Sequence, residues 1–233
     1  MRIWITSDTH ESFERISEFC EKNRTTKEDL LIITGDAGIN YHGYVKDRRK
    51  KEYLEALPIR LLCVHGNHEM RPEKLLYYKE EKWCGGIVYV EKEFPSILFA
   101  KDGEIYELLG KKVLVIGGAY SIDRLVRNYW NWNWWPDEQP SEKTKAYVEE
   151  QLEKYDWKVD IVLSHTCPLK YEPKEFFLDY YDQSDVDKST EDWLDTIEER
   201  LSYEDWYCGH FHGEKEIDKL HFMYKNYLEV KSK

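Results

Sequence analysis

The chain has 233 residues, and its 34 Lys and Arg against 46 Asp and Glu leave a formal net charge of −12. Such an acidic chain makes long nucleic acid an unfavourable partner, because phosphate-backbone binding draws its affinity from Lys and Arg releasing counterions. Hydrophobic residues make up 41%, with nine Trp and eighteen Tyr, which excludes a disordered segment.

The apolar runs at 30–33 and 59–64 fall far short of the roughly twenty residues that span a bilayer, so no membrane partner is expected. Met1 to Ser7 reads as a first strand rather than a secretory leader. Five scattered cysteines (Cys20, Cys63, Cys84, Cys167, Cys208) lack C-x-x-C spacing and read as reduced thiols. The expected location is the cytoplasm.

In chain order, short β-branched or aromatic clusters at 2–6, 30–34, 60–65, 113–117, 159–164 and 204–208 predict strands. Helical spacing falls on Phe13, Ile16, Phe19 and Cys20, and on 45–57, 72–82, 141–152 and 190–201. The alternation over the first third builds parallel βαβ units. Residues 87–115 read as an antiparallel meander with turns at Phe94-Pro95-Ser96 and Lys101-Asp102-Gly103, and residues 215–230 repeat that pattern around Asp218-Lys219. Two sheets packed face to face, helices outside, in a single domain over 1–233, are the expectation. The basic run at 46–51 reads as a solvated helix face, with a docking patch as the sharper alternative.

The segments just after the strands carry the chemistry: Ser7-Asp8-Thr9-His10, Gly35-Asp36, Gly66-Asn67-His68-Glu69, Ser164-His165 and Gly209-His210-Phe211-His212. Open α/β sheets bind ligands beyond the carboxyl ends of their strands, so five segments converge on one crevice. Residues i and i+2 of an extended chain face one side, which lets Asp8 with His10, and His210 with His212, act as short chelating arms. Taken singly, each has an ordinary explanation as a helix cap or a satisfied histidine; His42, His65 and His221 keep that reading. Imidazoles mixed with carboxylates suit first-row transition metals, whereas Ca and Mg prefer oxygen ligands. Two divalent ions would outweigh the charge of Asp8 and Asp36 and favour a bound anion, with phosphoryl chemistry the natural occupant.

In the ordered blocks D-T-H, G-D, G-N-H-E, S-H and G-H-F-H, from Asp8 to His212, the chain resembles the calcineurin-like metallophosphoesterase superfamily, and its stretch from Gly117 to Arg127 looks like that of small bacterial and phage members. The resemblance implies an α/β fold, a four-layer αββα sandwich with two mixed β-sheets flanked by helices. It implies two divalent transition-metal ions, manganese foremost, with iron, zinc, nickel or cobalt as alternatives. Asp8, His10 and His212 would hold one, Asn67, His165 and His210 the other, and Asp36 would bridge them. A bridging hydroxide would be the nucleophile, His68 the general acid, and Glu69 the residue that orients it. The implied activity is hydrolysis of a small phosphate monoester or diester.

Departures from the family bear on the substrate. His65 stands where protein serine/threonine phosphatases carry Arg before G-N-H-E, and Gly35-Asp36-Ala37-Gly38-Ile39-Asn40 lacks their longer acidic-arginine block, which makes phosphoprotein a second reading. A replacement anion grip is offered by Arg124 and Arg127, just after the Gly117-Gly118 turn, the bland alternative being surface ion pairs. In the stretch from Tyr129 to Pro136, Trp130, Trp132 and Trp134 would share a face if extended, either capping the crevice or packing on the body or a twin subunit; a homodimer is left open. The competing class is a catalytically idle scaffold on the same fold, against which the retained His68 and ligand set argue.

Overall fold

Strands β1 (Ile3–Thr6), β2 (Leu30–Ile33) and β3 (Arg60–Cys63) are short apolar runs, almost wholly buried, as parallel strands must be when both faces of their sheet are covered. They pair in parallel in the order given. The computed structural model describes residues 1–178 and 181–232.

Helix α1 (Glu14–Asn23) buries Ile16, Phe19 and Cys20 and stops where Arg24 turns left-handed at φ 48°. Helix α2 (Tyr44–Ala56) returns the chain to β3. The first sheet is completed by β4 (Lys79–Trp83), β5 (Gly86–Glu91) and β6 (Phe94–Ala100), and by β13 (Leu228–Glu229) on its other edge, in the order β13-β1-β2-β3-β6-β5-β4. The second contains β7 (Ile105–Leu108), β8 (Lys111–Ile116), β9 (Ile161–Ser164), β10 (Asp205–Cys208), β11 (Lys215–Ile217) and β12 (Leu220–Phe222), ordered β11-β12-β10-β9-β8-β7. Its centre, β8 to β10, is also parallel. Helices α3 (Arg124–Trp130), α4 (Glu142–Lys154) and α5 (Ser189–Arg200) belong to the crossovers of this half.

Period-two alternation sorts the side chains into layers. Ile3 and Ile5 of β1 meet Val113, Val115, Ile161 and Leu163 in a core between the sheets. Trp4 points the other way, to Ile16 and Phe19 of α1. On the far side, Leu114, Ile116 and Val162 pack on Val148 and Leu152 of α4 and on Leu194 and Ile197 of α5. The result is the expected order of helices, sheet, sheet, helices. All five cysteines are free thiols, and among the described residues no helix is long and apolar enough to cross a membrane.

Several local expectations are corrected. Residues 72–82 are not a helix: a single 3₁₀ turn at Pro72–Lys74 leads into β4. The charged run Lys79 to Lys82 is exposed on a sheet edge, where it deters pairing with another chain. The first meander turn lies at Lys92 and Glu93, while Pro95 sits near the start of β6 opposite a bulge at Val90 and Glu91, a position that tolerates its missing N–H. The tail splits, β11 and β12 joining one sheet and β13 the other.

The basic run of α2 is largely consumed internally. Lys51 is buried, pairs with Glu91, and lies 4.8 and 4.9 Å from the ring centroids of Tyr77 and Tyr78. Lys50 donates to Gly38 O, and Arg48 pairs with Glu52 and Glu93. Removing one partner of a buried ion pair strands the other charge. Lys51→Met should therefore lose about 3–5 kcal/mol in urea denaturation, whereas exposed Lys46→Ala should stay within about 0.5 kcal/mol; equal, small losses would show that Lys51 is not buried in solution.

Candidate metal centre

The loops that leave β1, β2, β3, β9 and β10 meet at one end of the two sheets. Their backbones are unusual: Asp8, His10, Asp36, His210 and His212 have φ of 48°, 41°, 50°, 68° and 51°. Asp and His are among the side chains that tolerate this left-handed region, and strain there persists only when the surroundings over-determine it. Here they do. Asp8 N–H donates to Gly35 O at 3.2 Å and His10 N–H to Asp36 O at 3.0 Å. Asp36 Oδ1 accepts the His68 N–H at 2.8 Å, and Asp8 Oδ2 accepts the His210 N–H at 3.0 Å. Close approach explains two glycines: a Cβ on Gly66 would strike the Asp36 carboxylate, and one on Gly35 would strike the His165 ring.

All seven expected ligand residues are brought together, in two groups. The donor atoms of Asp8, His10, Asp36 and His212 lie within 4.8 Å of one another. In the other group, Asn67 Oδ1 is 2.8 Å from His165 Nε2 and 3.1 Å from His210 Nδ1. Asp36 stands between them, with Oδ2 3.7 Å from His10 Nε2 and Oδ1 3.5 Å from His165 Nε2.

A sequence model described as calcineurin-like phosphoesterase matches residues 1–226. The chain belongs to this family. Among solved structures, TT1561 of Thermus thermophilus is 12% identical, with a TM-score of 0.54 over 98% of this chain and 97% of that one. A protein of unknown function from Aquifex aeolicus, AQ665, is 19% identical, with a TM-score of 0.35 over 73% and 81% of the two chains. The likeness to TT1561 concerns the fold alone. No curated protein gives a significant match.

The donor set of this phosphoesterase-family chain fits a metal ion on its own chemistry. Thr34 O can only accept, so the contact at 2.9 Å places a proton on His165 Nδ1. A neutral ring then turns the lone pair of Nε2 toward Asn67 Oδ1, an acceptor facing an acceptor. His10 Nε2 and His212 Nε2 meet at 2.9 Å, a contact that needs a shared proton or a cation between them, and Asp8 Oδ1 is buried with no hydrogen-bond partner. A cation, or protons in its stead, must reconcile these lone pairs.

The pKa directions agree with this crowding. Burial opposes the His165 proton, but Asp36 and Asp8 outweigh it and raise its pKa to about 9. Burial works to raise the Asp36 carboxyl, yet His68, His165 and His10 hold it well below the usual range. His210, desolvated and beside His165, falls to about 3.

The orientation of Asn67 is held by residues that the sequence did not single out as site residues. Asn67 Nδ2 donates to Ser121 Oγ at 2.9 Å, and that hydroxyl donates to Glu138 Oε2 at 2.6 Å. Trp134 Nε1 donates to the same oxygen at 2.8 Å, and the Ser121 N–H to Glu138 Oε1 at 3.0 Å. The relay leaves Oδ1 as the atom Asn67 presents to the histidines.

Other expectations change. Glu69 does not orient the His68 ring: it is buried, its Oε1 accepts the Gly66 N–H at 3.3 Å, and burial with Asp36 nearby raises it to about 7. The ring of His68 meets Arg127 instead, whose Nη2 lies 2.6 Å from Nδ1. Arg127 is buried and also pairs with Asp123 at 2.7 Å. Arg124 is not brought to the cluster; its exposed guanidinium lies 5.0 Å from the Trp134 ring centroid.

The Trp-rich stretch is not extended, because Trp130 still belongs to α3. Trp134 and Trp135 pack on the body, the latter against Tyr41, while Trp130 and Trp132 are exposed. His42 and His221 pair with Glu11 and Asp205. His65 is buried with both ring nitrogens unpartnered, and desolvation lowers its pKa well below the usual value.

Groups that orient metal ligands typically carry about 10–100-fold of metal affinity. Glu138→Ala should weaken metal uptake by about that factor with an unchanged circular dichroism spectrum; uptake as tight as that of the parent would show that Asn67 is positioned without this relay.

Proposed function

We propose that this chain is a dinuclear metal-dependent hydrolase of small phosphate esters in the cytoplasm. Asp8, His10 and His212 would hold one divalent ion and Asn67, His165 and His210 the second, with Asp36 standing between the two groups and serving both. The observation that supports this most is Asp36 itself, which faces a different donor group with each carboxylate oxygen. Manganese is the metal the reading favours; nitrogen-rich ligands also suit iron, zinc, nickel or cobalt. When bound, the ions supply charge neutralisation at the phosphoryl oxygens and the acidity that makes water a nucleophile at neutral pH.

The side chains of the chain do the rest. As the water oxygen bonds to phosphorus and the phosphorus–alcohol bond breaks, His68 protonates the departing oxygen. Burial lowers the His68 pKa, Asp36 opposes that and Arg127 adds to it. The resting imidazole is therefore poor in protons, and an arriving phosphate anion restores the bias toward imidazolium. Arg127, buried beside His68 with Nε on Asp123 and Nη1 on Asn133 O, adds its positive charge to the phosphoryl end of the site. Both monoesters and diesters suit this arrangement, since the in-line displacement is common to them.

Assay of manganese-loaded protein on p-nitrophenyl phosphate and on its bis ester tests the reading. General acid catalysis contributes about 10²–10⁴-fold, so His68→Ala should lower kcat by that order while retaining two metal equivalents, and His165→Ala should lose metal. Metal-loaded parent protein that cleaves neither ester would contradict the proposal and favour the idle scaffold.

A further inference from the structure

The outer face of α3 has no cover. Leu125, Val126, Tyr129 and Trp130 are 75%, 40%, 80% and 62% exposed, and Trp132, just past the helix, is 57% exposed. Leu125 with Tyr129, and Val126 with Trp130, are spaced i and i+4, so they form two neighbouring stripes on one side of the helix. Arg127 is buried on the inner side, against His68 and Asp123. The stripes are preformed. Tyr129 and Trp130 pack edge to face with centroids 5.1 Å apart at 88°. Asn131 turns left-handed at φ 55°, and the Trp132 N–H donates back to Arg127 O at 2.8 Å, which fixes a third ring at the same end of the helix.

Aromatic side chains carry about 150–250 Å² each, so at these exposures the three rings leave about 400 Å² of apolar surface open to water. Leu125 and Val126 bring the patch to about 500 Å². Single exposed apolar side chains are ordinary, but a contiguous patch of this size marks an interaction site. It is more than half of the about 800 Å² that each partner brings to a stable interface, where an apolar centre is ringed by polar groups. The chain has 46 Asp and Glu and a net charge of −12, yet residues 124–133 contain no acid at all. A basic partner finds nothing to pair with there, and an anionic bilayer meets a chain of its own sign.

The patch is instead complementary to itself. Its helical part is aliphatic toward the start of α3 and aromatic toward the end, and its four side chains are symmetric about the midpoint between Arg127 and Asn128. Across a two-fold axis with the helices antiparallel, Leu125 of each copy meets Trp130 of the other, and Val126 meets Tyr129. Arg124 then falls opposite Asn131, so no like charges are opposed. We propose that two copies of this chain form a homodimer through the outer faces of α3, paired antiparallel in this register. The inner side of the same helix carries the Arg127 that meets His68, so the second copy braces the candidate site from outside. The pairing itself requires neither metal nor activity.

Sedimentation equilibrium of the full chain tests this. The parent should approach twice the 28.2 kDa of one chain, with a Kd in the micromolar range, the weak end for interfaces of standard size. Association should tighten as salt rises, because screening relieves the repulsion between two acidic chains. Leu125→Lys and Trp130→Glu should each be monomeric at concentrations where the parent is dimeric, with unchanged circular dichroism, since both side chains are exposed. Leu125→Ala, which adds no charge, should weaken the dimer about tenfold. Mixed one to one, Leu125→Lys and Trp130→Glu should dimerise again: one of the two contacts then sets the introduced lysine against the introduced glutamate, and the other is that of the parent. A parent that stays monomeric up to about 100 times the expected Kd, a dimer indifferent to all three substitutions or weakened by salt, or a mixture that stays monomeric overturns the proposal. A monomeric parent that binds phosphatidylcholine vesicles, and loses that binding in Trp130→Glu, assigns the patch to a lipid surface and overturns it equally.

Discussion

Imidazole nitrogens and carboxylate and amide oxygens crowded at one end of the two sheets are the constraint on which the rest of the structure depends. Two imidazole nitrogens meet at 2.9 Å, an amide oxygen faces two more at 2.8 and 3.1 Å, and a buried carboxylate oxygen of Asp8 has no donor. Without a cation, protons on the imidazoles must bridge these contacts, and the raised pKa of His165 beside Asp36 and Asp8 is one expression of that crowding. The sheets gather these atoms, since parallel strands end at the same side and release their loops into one crevice. Left-handed residues and close-packed glycines then stack those loops more tightly than ordinary turns would allow. The four-layer core holds the strained arrangement in place.

Polar groups around the centre divide into two kinds. Glu138, Ser121 and Trp134 form a closed relay, each donor matched by an acceptor, whose effect is to aim one amide oxygen. Glu191 differs: its Oε1 accepts the Thr166 hydroxyl, its buried Oε2 has no partner, and burial raises its pKa to about 7. Closed relays rigidify a site, and an unpaired buried acceptor costs stability.

Much of this was legible in the sequence, and for a physical reason. Buried parallel strands need short apolar runs, and the loops after them need turn residues, so the runs ending at Thr6, Ile33, Cys63, Ser164 and Cys208 announced both the sheets and the positions of the seven side chains now found together. What escaped depended on tertiary meetings that no spacing encodes. Glu138 reaches Asn67 only through Ser121, seventeen residues from one and fifty-four from the other. The strand β4 carries an exposed charged run where alternation would be expected. Lys51 looks like any solvated lysine until Glu91 and two tyrosine rings surround it. Glu69, next to His68 along the chain, turns to the Gly66 N–H instead, because adjacency along the chain does not give direction in space.

The central claim is that two cations share Asp36. Anomalous diffraction from crystals of the manganese-loaded chain tests it most directly. The account predicts two peaks per chain on either side of the Asp36 carboxylate, one toward His10 and one toward His165; a single peak, or peaks away from Asp36, would contradict it.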